Sequence, residues 1–294
     1  MSARVERVPC FLNVRGGSAA AAREVLAAAA ALDLRLVEPG DLLREVQRTL
    51  DAGVPRVAVC GGDGTLATAA AAVARAGAEL APLPGGTLNH FCGHLRIPTD
   101  LTEAARIAAR SSRIATVDVG WMNGERLVLN TSSLGAYVSY VRTRERIERW
   151  LDYYTSSAAA ALHTLWSQRG FEVELHVDGE ARRYATTLVF VGIGEREVVR
   201  GDGAPCPPAL RGLHVMVARA GAPLHMLRFA IAAWRRGTLG EERQEAFDSY
   251  VTDACVVHGR RARGTVAIDG ELVRVSGPVR YELERDALRV VVPE

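Results

Sequence analysis

Residues 57–66 read Val57-Ala58-Val59-Cys60-Gly61-Gly62-Asp63-Gly64-Thr65-Leu66: four apolar residues, then glycines around one carboxylate, then a hydroxyl. The apolar run after Pro55-Arg56 predicts a buried parallel strand, and the Ala-rich stretch Leu66 to Ala76 predicts the helix that follows it. The glycines therefore fall at a strand-to-helix turn. Lacking Cβ atoms, Gly61, Gly62 and Gly64 can take positive φ and let backbone N–H groups approach a ligand, with the helix start favouring an anion such as phosphate. A turn that needs glycine for its geometry alone is the competing reading, and one Gly-rich turn does not choose between them.

The first half of the chain repeats this grammar. Val8 to Val14 predicts a strand, Arg15-Gly16-Gly17-Ser18 a glycine turn, and the Ala-rich run to about Ala31 a helix with Ser18 as N-cap. Leu34 to Val37 predicts a short strand, and Asp41 is placed to cap a helix from Leu42 to Ala52 whose Leu42, Leu43, Val46 and Leu50 share a face. Leu80 to Leu83 predicts another strand, feeding Pro84-Gly85-Gly86-Thr87-Leu88-Asn89-His90-Phe91. Asp100-Leu101-Thr102-Glu103 makes a capping-box helix start. Strand and helix alternating at such short spacing predict a doubly wound parallel sheet with ligand sites beyond the carboxyl ends of its strands.

Near residue 115 the pattern changes. Thr116 to Met122 and Arg126 to Asn130 flank Asn123-Gly124, and Phe171 to Val177 and Tyr184 to Val191 flank Asp178-Gly179; both read as hairpins. Further strands are predicted at Leu213 to Ala218, Tyr250 to His258, Gly264 to Ile268, Leu272 to Val275, Val279 to Leu283 and Ala287 to Val292. Helical spacing covers Tyr137 to Arg169 and Pro223 to Arg236, and Gly201 to Pro208 reads as a loop. The predicted organisation is an α/β domain over residues 1–121 and a β-sandwich domain over 122–294, with a return of the last strand to the first domain left open.

Composition excludes several mechanisms. All 36 basic residues are Arg. A P-loop and a protein kinase site each need a Lys on the phosphates, so a nucleotide site here must rely on glycines, hydroxyls, Arg and metal. A net charge of +2 makes no general case for nucleic acid. The odd, scattered set Cys10, Cys60, Cys92, Cys206 and Cys255 reads as reduced thiols. With neither a signal-peptide h-region nor an apolar run of spanning length, the expectation is a cytoplasmic chain with at most peripheral membrane contact.

The two glycine turns, Gly61 to Thr65 and Pro84 to Thr87, follow neighbouring strands and open at one sheet edge, so they can converge on one polyanionic ligand. At these residues the chain strongly resembles the diacylglycerol kinase catalytic family, the soluble lipid kinases that include sphingosine kinases and bacterial lipid kinases. Gly61-Gly62-Asp63-Gly64-Thr65 is similar to the family's nucleotide loop. Pro84-Gly85-Gly86-Thr87-Leu88-Asn89-His90-Phe91 is similar to its second loop. The resemblance runs on through Val117-Asp118-Val119-Gly120, Leu129 to Gly135 and Arg144-Glu145 to Asp269-Gly270-Glu271. It implies an ATP-binding α/β domain, a β-sandwich domain and an active site in the cleft between them. The implied reaction carries the γ-phosphate of ATP, with Mg²⁺, to a hydroxyl of diacylglycerol or a similar lipid.

Phosphoryl transfer asks for N–H groups on the phosphates, a carboxylate for Mg²⁺ and a base near the acceptor. Asp63 is the metal-side carboxylate on this reading. Gly61, Gly62, Gly64, Thr65, Gly86 and Thr87 cradle phosphates, Asn13 reaches the nucleotide, and Asn89 braces the two loops. Glu271 is the expected general base and Asp269 a second carboxylate, although Asp269-Gly270 by itself also reads as a plain hairpin turn. Departures from the family are Ala67-Thr68-Ala69 in place of an Asn-Glu pair, Leu210-Arg211-Gly212-Leu213 in place of an Asp-Asp-Gly metal segment, and Gly194 where an Asn is common. They predict loss of a structural Mg²⁺ site or its filling by Arg211. They also keep two alternatives alive, a kinase of a soluble alcohol or specialised metabolite and an inactive nucleotide-binding regulator.

Lesser candidates are His90 and His94 around Cys92 as metal ligands, the cluster of Arg142, Arg144, Arg146 and Arg149 beside Trp150, Tyr153 and Tyr154 as a membrane or acceptor surface, and the face of Pro223 to Arg236. A helix-start His, a solvated ion-paired face and core packing are their plainer readings. A homodimer is left open.

Overall fold

The computed structural model describes residues 7–16, 18–147, 170–193, 211–219, 247–260 and 262–294. The chain divides into two compact units, Met1–Val119 with Glu284–Glu294, and Gly120–Leu283.

The first unit alternates β1 (Val8–Asn13), α1 (Ala19–Ala28), β2 (Leu32–Val37), α2 (Leu42–Asp51), β3 (Arg56–Gly61), α3 (Asp63–Ala76), β4 (Glu79–Pro84), α4 (His90–His94) and α5 (Leu101–Arg110). Its strands lie in the order β2-β1-β3-β4, all parallel, as the alternation predicts. The final strand, β16 (Val279–Val291), joins at β4, where Arg289 and Val290 pair in parallel with Glu79 and Leu80. The apolar runs explain the burial: Phe11, Val57, Val59, Leu80 and Leu83 on strands, and Leu26, Leu42, Val46 and Leu66 on helices, are all inaccessible or nearly so. Helix α2 packs on α3 and α1 on α5, as a doubly wound sheet requires. The strand order reverses between β1 and β3, so the fold's switch point lies at the ends of these two strands, Asn13 and Gly61.

Cap chemistry departs from expectation twice. Neither Ser18 nor Asp41 caps its helix with its side chain; Ser18 reaches a neighbouring loop and Asp41 pairs with Arg44 at 2.9 Å. Asp100 does cap α5, accepting the Glu103 N–H at 2.8 Å.

The second unit is built of antiparallel strands: β5 (Ile114–Met122) in its last residues, β6 (Arg126–Val128), β7 (Thr131–Gly135), β8 (Phe171–Val177), β9 (Glu180–Thr186), β10 (Leu188–Ile193), β11 (Leu213–Ala218), β12 (Phe247–Thr252), β13 (Ala254–Gly259), β14 (Arg263–Ile268), β15 (Glu271–Ser276) and the first part of β16. One sheet runs β12-β11-β10-β7-β14-β15, and β16-β13-β8-β9 form the facing layer. Leu175, Val257 and Tyr281 from one layer share a core with Val191, Val215 and Val266 from the other, which is the sandwich expected. A buried polar pair, Ser132 Oγ and Tyr281 Oη at 2.8 Å, links the two layers. Helix α6 (Ala136–Ile147) covers the described part of the 137–169 stretch.

Strand ends differ from the sequence reading wherever the chain changes partner. Tyr250 to His258 is two strands and not one, because β12 pairs with β11 and β13 with β8 and β16. Val279 to Leu283 and Ala287 to Val292 are one strand and not two, carried through Asp286 at φ 50. Strand β7, absent from the sequence reading, is the Ser-rich segment that pairs β10 with β14. Hydropathy alternation follows exposure and is blind to which neighbour a strand has. The 201–208 loop, the 223–236 helix, Gly194, Trp150, Tyr153 and Tyr154 lie outside the described residues.

Candidate active site

Three connections open at the carboxyl edge of the first unit's sheet: Asn13 to Ser18 after β1, Gly61 to Thr65 after β3, and Pro84 to Asn89 after β4. Helix α3 begins three residues earlier than expected, with Gly62 as N-cap and Asp63, Gly64 and Thr65 as its first turn. The Leu66 N–H, bonded to the Gly62 carbonyl at 3.0 Å, is the first to close an intrahelical ring, so the N–H groups of Gly64 and Thr65 have no intrahelical acceptor.

The freedom to take positive φ is not used at Gly61, Gly62 or Gly64, nor at Gly85 or Gly86. Glycine is needed here because the loop backbones touch one another. A Cβ on Gly85 would stand 2.7 Å from the Gly61 nitrogen and 2.9 Å from Cys60 Sγ, and one on Gly86 would stand 2.6 Å from the Gly62 Cα. A Cβ on Gly61 would meet the Thr65 side chain at 2.5 Å. The Gly85 N–H donates to the Gly61 carbonyl at 3.1 Å, locking the two turns together.

Side chains complete the lock. Asp63 Oδ1 accepts the Phe91 N–H at 2.8 Å and Oδ2 the His90 N–H at 3.1 Å, so Asp63 caps the start of α4 from the other loop. Asn89 closes its own loop, giving and taking a 2.7 Å bond with Gly86; the bracing between loops expected of Asn89 belongs to Asp63. Ser18 Oγ donates to the Gly85 carbonyl at 2.7 Å, and Asn13 Nδ2 donates to Thr65 Oγ1 at 2.9 Å. The structure thus brings Asn13, Gly61, Gly62, Asp63, Gly64, Thr65, Gly86 and Asn89 into one constellation, with Thr87 exposed at its rim. Ser18 and Gly85 are the members the sequence reading missed in this role. Only the doubling of each glycine pair hinted at them.

Burial pushes the thiols of Cys60 and Cys92 up to about 12, for Cys92 with help from the negative Asp63 and from Cys60. They are protonated walls beneath the loops, and Cys10 and Cys255 are likewise free and buried. His90 is exposed and Cys92 buried. Among the described residues no three His, Cys, Asp or Glu side chains gather to hold a metal ion.

In the second unit Asp269 and Gly270, at φ 47 and 87, form the two-residue turn between β14 and β15. Asp269 Oδ2 accepts the Leu129 N–H at 2.9 Å, and Oδ1 accepts those of Asn130 and Thr131 at 2.8 and 3.0 Å. Glu271, exposed, is the first residue of β15. Arg211 stands half-buried two residues before β11, and on α6 Arg142 and Arg146 are exposed while Arg144 is half-buried. A groove of about 610 Å³ on β8, β9 and β13 is lined by charges that are paired, Arg183 with Glu174 at 2.8 Å and Arg260 with Glu172 at 3.3 Å. Among the described residues no helix is long and apolar enough to cross a membrane.

Comparison with known proteins bears on these loops directly. Residues 9–122, which hold all three connections, match the diacylglycerol kinase catalytic domain. A protein named probable lipid kinase YegS-like from Pseudomonas syringae pv. tomato is 34% identical over 189 residues, 61% of this chain and 58% of that protein. One of the same name from Cronobacter sakazakii is 28% identical over 180 residues, 59% of this chain and 58% of that protein. The chain thus spans under two thirds of the length of the curated relatives it matches. A solved diacylglycerol kinase structure from Bacillus anthracis str. Sterne superposes with a TM-score of 0.68 at 21% identity, covering 98% of this chain and 97% of that one, a likeness of fold. What the comparisons establish is similarity: through residues 9–122 the chain resembles the diacylglycerol kinase catalytic domain.

Proposed function

We propose that this chain is an ATP-dependent lipid kinase that transfers the γ-phosphate to a hydroxyl of diacylglycerol or a similar lipid. The observation that carries the reading is the interlock of two glycine turns next to the sheet's switch point, beside the first turn of the 14-residue helix α3. A helix N-terminus with outward N–H groups favours an anion, and loops whose backbones already touch cost little reorganisation when phosphate arrives. The donor set, backbone N–H groups with the Thr65 and Thr87 hydroxyls, suits phosphate oxygens.

With no Lys in the chain, charge neutralisation falls to the helix dipole, Arg and a divalent ion. Bound Mg²⁺ supplies that neutralisation, and it usually needs only one or two carboxylates besides phosphates and water. Asp63 suits this role in chemistry, as the carboxylate in the first turn of α3 beside the glycine turns. Glu271 is the proposed general base, able to take the acceptor hydroxyl's proton. Asp269, its oxygens engaged by three backbone N–H groups, holds the turn that precedes Glu271 in this reading. A lipid acceptor implies work at a membrane surface, and the proposed location is cytoplasmic with peripheral membrane contact.

The test is ATP consumption by the purified chain with Mg²⁺, using diacylglycerol in vesicles and a panel of soluble alcohols, with products identified by mass spectrometry. Phosphatidic acid formed only with vesicles is the expected result. Turnover of a soluble alcohol without lipid overturns the lipid acceptor, and ATP binding by calorimetry without turnover on any acceptor turns the chain into a nucleotide-binding regulator.

A further inference from the structure

We propose that Asn13 is a positioning residue that sets the polarity of the Thr65 hydroxyl, making it a hydrogen-bond donor to a phosphate oxygen. This rests on the reading of the loops as an ATP site. The amide of Asn13 has one accepting end and one donating end. The backbone N–H of Arg15, which can only donate, points at Asn13 Oδ1 from 3.0 Å. That contact fixes the flip of the amide through its hydrogen-bond network. The donating end therefore faces α3, where Nδ2 lies 2.9 Å from Thr65 Oγ1.

A threonine oxygen that accepts from an amide cannot aim its own proton back along the same line. The Thr65 O–H must turn elsewhere, and among the described residues it donates to no acceptor. The side chain is also seated, since it packs against the Gly61 backbone so closely that a Cβ there would stand 2.5 Å away. Thr65 thus offers its O–H from the same helical turn whose N–H groups face outward, and it does so at the switch point between β1 and β3. Asn13 touches no phosphate in this account. It acts across 52 residues of sequence by deciding which way one proton points.

The experiment is calorimetric titration of the full chain with ATP and Mg²⁺, with far-ultraviolet circular dichroism to confirm the fold of each variant. Thr65→Val should weaken binding about tenfold, the worth of one hydrogen bond to a charged group, and Thr65→Ser should restore it. Asn13→Ala, which frees the Thr65 rotor without reversing it, should cost about threefold. Asn13→Asp should cost about a hundredfold, because a carboxylate accepts the Thr65 proton and withdraws it from the phosphate.

The deciding comparison is a double-mutant cycle. If Asn13 acts through Thr65, the Asn13→Asp penalty shrinks at least about tenfold when Thr65→Val is already present. A penalty that persists in full overturns the proposal, because it marks charge repulsion or direct contact between Asn13 and the nucleotide. An Asn13→Asp variant that binds no worse than Asn13→Ala overturns it as well. Should Asn13→Asp fail to fold, the same cycle with Asn13→Ala decides: its penalty vanishes beside Thr65→Val or the proposal falls. A wild-type chain that binds no ATP brings down the nucleotide reading itself, a result distinct from each of these.

Discussion

Asp63 and Asp269 sit in different units, each beside glycine in the sequence, and each holds backbone in place with its carboxylate. Asp63 reaches 27 and 28 residues ahead to cap the start of α4, while Asp269 reaches back 138 to 140 residues to gather the turn before β7. Their glycines differ in kind. Gly85 and Gly86 lie where two loops touch and have ordinary φ, whereas Gly270 has φ 87 and open space where its Cβ would be. In one region glycine is needed because there is no room, and in the other because of the turn. The first kind builds a pair of interlocked loops, and the second builds a hairpin.

This contrast breaks most readily at Asp269. Asp269→Ala leaves three N–H groups without their acceptor and puts an alanine at φ 47, so it should lower unfolding stability by about 3 kcal/mol in urea denaturation. A variant with the wild-type midpoint removes Asp269 as a clamp. Gly85→Ala should cost about 2 kcal/mol through overpacking and, in the same titration used for ATP, weaken binding at least about tenfold. Unchanged affinity there would mean that the interlock is not part of the nucleotide site. Asp63→Ala should cost about 1.5 kcal/mol as a lost cap and yet abolish phosphoryl transfer, the two readouts separating its structural and chemical roles. Gly270→Ala meets no atom within 4 Å and should cost only about 1 kcal/mol, all of it backbone strain.

A third carboxylate sharpens the comparison from the acid side. Glu79 on β4 is held by Arg56 Nε at 2.9 Å and by Arg289 of β16 at 2.8 Å. Partial burial opposes its ionisation, but the hydrogen bonds from Arg289 and Arg56 outweigh this and hold the carboxyl below the usual glutamate range. A depressed folded pKa contributes stability that is present above the unfolded value and is lost as pH falls through the folded one. Stability should therefore decline as pH drops below the ordinary glutamate range, and Glu79→Gln should flatten that part of the curve while leaving ATP affinity unchanged. An identical acid slope in the variant would assign the sensitivity to other carboxylates.

Much of the fold was legible because it is written locally. The apolar run Val57 to Cys60, the pairs Asn123-Gly124 and Asp178-Gly179, and the capping of α5 by Asp100 each need only near neighbours in the chain, and each was read correctly. The loops at one sheet edge were legible too, because parallel strands followed by helices leave their glycine turns at the same end. Misread were the places where a strand trades partners, at Asp253 and Asp286, and the caps of α1 and α2, where Ser18 and Asp41 had better partners than their own helix.

By itself the sequence determined the make-up of these loops: glycines, hydroxyls and a carboxylate after neighbouring strands, in a chain without lysine. Only the tertiary structure decided what each group does there. It put the Asp63 carboxylate on α4, the Ser18 hydroxyl on Gly85, the Asn13 amide on Thr65 and the Asp269 carboxylate on Leu129 to Thr131. The physical reason is range. Propensity and periodicity act over a few residues, whereas a hydrogen bond goes to whichever partner packing brings within about 3 Å, at any distance along the chain.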